Sequence, residues 1–127
     1  GENENLFEIV YKGLNELGLS GLIIPEEYGG LGLDSLFAIS VSESLGRGIA
    51  PYPFIGSFLI APFLIDQLGS DSQKEKYLPG IATGEIRFAV ALTEMTGRRS
   101  ETGIQSSNHQ LNGQTLFVRT YSCASFD

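Results

Sequence analysis

Residues 88–100, Phe88-Ala89-Val90-Ala91-Leu92-Thr93-Glu94-Met95-Thr96-Gly97-Arg98-Arg99-Ser100, divide the chain into two kinds of sequence. Ahead of them apolar residues recur at helical spacing; behind them short runs are broken by turn residues. Phe88 to Leu92 is a brief apolar run bounded by Thr93-Glu94, which predicts a buried strand leaving a helical region. At Thr93 the run stops and polar, glycine-containing sequence follows. A buried strand that ends in a hydroxyl, a carboxylate and a loop offers backbone N–H groups and a side-chain donor at an open sheet end. Flat polar ligands are commonly held that way.

Working back from that stretch, Gly84-Glu85 turns the chain into the strand, and the domain boundary is expected near Ile86. Before it, Ser70-Asp71-Ser72-Gln73 reads as a capping box opening a helix with Lys74, Glu75 and Lys76 on its wet face. Tyr77 and Leu78 are expected to face inward, and Pro79-Gly80 to end the helix. Phe54 to Leu68 is apolar nearly all round and predicts the buried centre of the helical region, with Pro62 either kinking it or opening a new helix. Ser35 to Leu45 predicts a helix with Asp34 as N-cap, Leu36, Ile39 and Val41 on its apolar surface, and Gly46 to Gly48 at its end. Leu6, Ile9, Val10, Leu14 and Leu17 place a further helix over Leu6–Leu17, stopped by Gly18, with Gly1 to Asn5 frayed. Between these helices, Leu19 to Leu33 is a glycine-rich connection. Gly30 and Gly32 are turn residues there rather than a dinucleotide fingerprint, since Ser35 occupies the third glycine position and no strand precedes them. Glu26 and Glu27 are adjacent and point apart, so they read as solvated loop carboxylates.

Downstream of Arg99 the pattern is a meander. Asn112-Gly113 gives a hairpin signal, with Thr115 to Val118 as the returning strand. His109 lies among polar residues and reads as a surface histidine. Cys123 is the single cysteine, so no internal disulfide forms, and no Cys or His cluster predicts a metal site.

With 127 residues, 42% of them hydrophobic and 18% charged, the chain is a globular one of one compact domain, or one domain and part of another. A net charge of −7 argues against nucleic acid and anionic membrane as partners. The run Phe58 to Ile65 is too short to span a bilayer, and no signal-peptide pattern opens the sequence, so a cytoplasmic location is expected; a mitochondrial matrix would also fit. The charge is uneven. Arg87, Arg98, Arg99 and Arg119 gather near the dividing stretch, the one place where an anionic ligand has an obvious reason to go.

Ala91-Leu92-Thr93-Glu94, then Gly103-Ile104 and Leu111-Asn112-Gly113, resemble the flavin-binding segment of the acyl-CoA dehydrogenase family. Pro25-Glu26-Glu27-Tyr28-Gly29-Gly30-Leu31-Gly32 and Gln73-Lys74-Glu75-Lys76-Tyr77-Leu78-Pro79 are similar to that family's helical N-terminal domain in order and approximate spacing. The resemblance implies an α+β chain. Residues 1–86 would form a helical, bundle-like N-terminal domain, and residues 87–127 the first strands of an antiparallel β domain, an incomplete version of the family fold. It further implies FAD as cofactor, an acyl-CoA thioester as substrate and a homo- or hetero-oligomer. Leu92, Thr93, Arg98, Arg99, Phe117 and Arg119 fall at cofactor-binding positions. Phe54, Phe58 and Phe63 lie where acyl chains run in the family, although plain core is the simpler reading of each.

The flavin segment departs from the family pattern. Met95-Thr96-Gly97-Arg98-Arg99-Ser100 stands where the family has Pro-Gly-Ala-Gly-Ser-Asp, a loop that lets backbone approach the flavin diphosphate. Two guanidinium groups could clamp that diphosphate, fill its space, or lie in solvent. Phe117-Val118-Arg119 aligns with the family's Trp-Ile-Thr. Phe117 keeps a flat apolar wall, whereas Arg119 cannot imitate the threonine hydroxyl. The family's catalytic Glu, which removes the proton α to the thioester, belongs to a C-terminal helical domain, so no catalytic residue is assigned here and the chain by itself is expected to be inactive. The expected function is FAD-dependent α,β-dehydrogenation of acyl-CoA. The alternatives are a degenerate, non-catalytic subunit or scaffold, and a flavin monooxygenase of the same fold.

Overall fold

A computed structural model of the chain describes residues 2–48, 54–91, 93–94, 105–112 and 115–116. Helix α1 is Glu2–Glu16. It begins four residues ahead of the expected Leu6, because extending an existing helix gains a hydrogen bond for each residue fixed. Gly18, at φ 75°, turns the chain out of it. Two single turns of 3-10 helix follow, Leu19–Gly21 and Glu26–Tyr28, and the connection then folds back on itself. Leu31 N donates to Gly21 O at 2.8 Å, Gly32 N to Ile24 O at 2.9 Å and Leu33 N to Leu22 O at 3.0 Å. A Cβ at Gly30 would run into the Ile24 carbonyl. That glycine serves close backbone approach, in keeping with the turn reading of this stretch.

Helix α2, Ser35–Arg47, starts at the expected cap: Asp34 Oδ1 accepts from Leu36 N at 3.0 Å and Phe37 N at 3.1 Å. Its inward face differs from expectation. Ala38 is buried and Val41 and Leu45 pack beside it, while Leu36 is 71% and Ile39 62% exposed. Each residue rotates a helix by about 100°, so the stripe 38, 41, 45 turns positions 36 and 39 away. The helix also continues through Gly46, with Arg47 paired to Glu43 one turn back.

Phe54 leads into a π-helix, Ile55–Ile60, that passes directly into α3, Ala61–Leu68. Ala61 N donates to Gly56 O, five residues back. Pro62 has no N–H, and its ring would clash with the carbonyl four residues earlier. Widening the turn ahead of it removes that conflict, so Pro62 sits in the first turn of α3. Only one side of this rod is buried. Phe58 is 2% exposed and Phe63 54%, so the all-round burial expected of this stretch is corrected. The Phe58 ring lies 5.7 Å from Tyr11 and 5.5 Å from Phe54, within a core shared with Leu14, Leu22 and Ala38.

Helix α4 is Asp71–Ala82. Its capping box is formed as predicted: Gln73 N donates to Ser70 Oγ at 3.3 Å and Ser70 N to Gln73 Oε1 at 2.9 Å. It does not end at Pro79-Gly80. The helix persists because every carbonyl at its end finds a donor. Thr83 N reaches Pro79 O, Ile86 N reaches Gly80 O and Gly84 N reaches Ile81 O. Side chains from α1 and the turn after it complete the set: Ser20 Oγ donates to Ala82 O, Asn15 Nδ2 to Thr83 O and Tyr11 Oη to Gly84 O. Leu78 and Ile81 form a second small core with Ile24, against which Ile86 and Phe88 pack.

The described strands are short. β1, Thr93–Glu94, pairs antiparallel with β4, Thr115–Leu116, with Thr93 opposite Leu116 and Glu94 opposite Thr115. β2, Gln105–Ser107, pairs antiparallel with β3, Gln110–Asn112. Two expectations are corrected. Residues 88–91 join no ladder among the described residues. The described hairpin turns at Asn108-His109, both at positive φ (50° and 61°), as a type I′ turn requires. β3, which ends at Asn112, and β4, which begins at Thr115, belong to different ladders. His109 is exposed in its turn, as expected.

Candidate functional site

Glu8, Tyr11 and Asn15 follow one another at spacings of three and four residues and so share one face of α1. That face meets the chain as it leaves α4. Arg87 forms a two-pronged pair with Glu8, Nη1 to Oε1 at 2.6 Å and Nη2 to Oε2 at 2.7 Å. Its guanidinium lies 3.7 Å above the Tyr11 ring, and the Tyr11 hydroxyl donates to Gly84 O at 2.7 Å. Gly84 is at φ 77°, and a Cβ there would strike the Asn15 amide. Glu8, Ile9, Tyr11, Lys12, Asn15 and Arg87 line an open depression of about 320 Å³.

The electrostatics follow from the pairing. Hydrogen bonds from Arg87 hold the Glu8 carboxyl below the usual carboxylate range. Burial pushes the Tyr11 phenol up. The bonds to Glu8 keep Arg87 more firmly protonated. A carboxylate with a lowered pKa is poorly matched to general-base work near neutrality, and this guanidinium is already neutralised. The depression is a structural junction, and Arg87 drops out of the basic cluster expected to attract an anion. Among the described residues no group of His, Cys, Asp and Glu could hold a metal ion.

Of the expected cofactor residues, Thr93 is placed: its backbone stands in β1, opposite Leu116. Leu92, Arg98, Arg99, Phe117 and Arg119 lie outside the described residues. β1 has a single described partner, β4. The sequence alone does not reveal the Glu8–Tyr11–Arg87 junction. The 8, 11, 15 polar stripe was its one local signal, and it is masked by Leu6, Ile9, Val10 and Leu14 on the same helix.

The family described as Acyl-CoA dehydrogenase, N-terminal domain, matches residues 2–85. The chain belongs to the acyl-CoA dehydrogenase family. The matched residues run from the start of α1 to Glu85, just past the end of α4, and carry the helical N-terminal domain of that fold. The chain is 45% identical over 89 residues, 65% of its length, to a Bacillus subtilis protein named "Probable acyl-CoA dehydrogenase". It is 37% identical over 117 residues, 85% of its length, to the acryloyl-CoA reductase (NADH) of Anaerotignum propionicum. The crystal structure of an acyl-CoA dehydrogenase complexed with FAD from Bacillus anthracis superposes on 67% of the chain with a TM-score of 0.60 at 42% identity. The chain spans 14%, 30% and 15% of these three proteins. No helix among the described residues is long and apolar enough to cross a membrane.

Proposed function

We propose that this chain supplies the helical N-terminal domain and one wall of the cofactor site of an FAD-dependent oxidoreductase acting on acyl-CoA thioesters by α,β-dehydrogenation. The observation that carries the reading is the family match over residues 2–85, followed eight residues later by β1. FAD, when bound, supplies the acceptor for the substrate's β hydride. The chain's own part is to bind and orient. With β4 along one edge of β1, the backbone N–H and C=O groups of the other edge suit a flat, polar-rimmed ligand. Leu92 and Thr93 would face the flavin, Phe117 would wall its ring, and Arg98, Arg99 and Arg119 would take the diphosphate through charge-assisted hydrogen bonds. The reading divides the chain into a helical domain over residues 1–86 and part of an antiparallel β domain over 87–127, and places it in the cytoplasm within an oligomer.

A second reading, a subunit of the same fold that holds no flavin, is favoured by one observation: Met95-Thr96-Gly97-Arg98-Arg99-Ser100 carries two long cationic side chains where the family has a small-residue loop. The two are separated by grafting residues 2–127 onto the remainder of the Bacillus anthracis enzyme and adding acyl-CoA anaerobically. Bleaching of a bound flavin supports the oxidoreductase. A folded chimera with unperturbed helical circular dichroism but no bleaching supports the flavin-free subunit.

A further inference from the structure

After α4, residues 85–91 join no ladder among the described residues, so side chains fix their place. Ile86 and Phe88 point to one side. Ile86 lies against Gly80, where any Cβ would collide with it, and Phe88 meets the Tyr77 ring edge-on at 5.5 Å. Both belong to the core of Ile24, Leu78 and Ile81. Arg87, between them, points the other way, to Glu8 and Tyr11 of α1. Tyr11 is itself part of the other core. This lead-in is therefore gripped from both sides, with one core on each.

We infer that Arg87, held by Glu8 and Tyr11, is a positioning residue that sets the register in which the lead-in delivers Thr93 and Glu94 to β4. A one-residue slip in the pairing of a strand turns every one of its side chains to the opposite face. Ile86 and Phe88 alone resist such a slip weakly, since two apolar side chains on a shared core tolerate sliding better than a fork-shaped guanidinium does. The two parallel bonds to Glu8 and the ring beneath Arg87 accept one geometry. Lysine would retain the charge and lose the fork. The functional weight of this role rests on the proposed use of β1 as a flavin wall, while the positioning itself is measurable without flavin.

The experiment is amide hydrogen exchange on the 127-residue chain and its Arg87→Ala, Arg87→Lys and Glu8→Gln variants. The Glu43→Gln variant, which breaks an exposed pair far from the lead-in, serves as control. Exchange at Thr93 and Glu94 is expected to quicken about tenfold or more in the first three variants and not in the control, while Leu78 and Ile81 keep their rates. Equal quickening at Leu78 and Ile81 would mean Arg87 merely stabilises the fold, and unchanged rates at Thr93 and Glu94 would remove the role altogether. Should Arg87→Ala unfold, the Glu8→Gln variant, which preserves shape, decides between the same outcomes. Loss of flavin affinity in the grafted enzyme carrying Arg87→Lys, with β1 exchange altered, would join positioning to function. Altered exchange with no flavin bound even in the unmutated graft would instead leave the positioning standing and overturn the flavin reading.

Discussion

Tyr11 does three things at once: its ring packs on Phe58, its face carries Arg87, and its hydroxyl donates to Gly84 O. Tyr11→Phe keeps the first two, so its expected cost is that of one neutral hydrogen bond, about 1 kcal/mol, read from a denaturation midpoint. A larger loss would mean that the Gly84 carbonyl finds no substitute donor. Glu8 carries a pH signature. Its folded pKa lies below its ordinary value because of Arg87, so the stabilisation is fully present above the ordinary carboxylate range. It is lost as pH falls through the lowered folded value. Arg87 stays charged across that range. Stability of the unmutated chain and of Glu8→Gln should therefore differ at neutral pH and converge in acid. The difference is expected to be small, because the Glu8 side chain is 54% exposed. Parallel curves would show that the pair contributes nothing to folding.

The helices divide by how far away their causes lie. The Asp34 cap and the Ser70–Gln73 box are set by residues within one turn, and both were legible in the sequence. Ser70→Ala should cost about 1 kcal/mol, with the midpoint of thermal unfolding as the readout. The far end of α4 was not legible: Pro79 and Gly80 are local stop signals, and the donors that overrule them come from Tyr11, Asn15 and Ser20, 73, 68 and 62 residues from their acceptors. The π-helix ahead of Pro62 was half legible, since proline announced a disturbance without saying which. Burial on the Phe54–Leu68 rod was misjudged because apolar residues on all sides say nothing about which side meets the core. Phe58→Ala should cost about 3–5 kcal/mol, and Phe63→Ala, at a half-exposed position, far less. Equal losses would contradict the observed orientation of the rod. Of the site, the apolar run Phe88–Leu92 suggested a strand stopping at Thr93, whereas the described ladder residues are Thr93 and Glu94; their partner β4 and the junction at Arg87 depend on long-range contacts that no local pattern encodes.

Across the whole molecule, two small cores are bridged by the lead-in, and several large apolar side chains of α2 and α3 remain exposed. Leu36, Phe37 and Ile39 on α2 and Phe63 and Leu68 on α3 are all more than half exposed. Exposed apolar surface favours association, so sedimentation of the 127-residue chain should show a concentration-dependent mass that Phe37→Ser and Phe63→Ser reduce. The helical domain follows from the family match, whereas the cofactor wall is the step that chemistry must decide. The most direct measurement is the flavin content of the chimera in which residues 2–127 replace their counterpart in the FAD-complexed Bacillus anthracis enzyme, read from the visible spectrum after gel filtration. The account predicts a yellow protein with one flavin per chain, and an Arg98→Ala version whose weaker binding differs less from the parent at high salt. A folded, colourless chimera, or one that gains flavin when Arg98 and Arg99 are shortened, would contradict it.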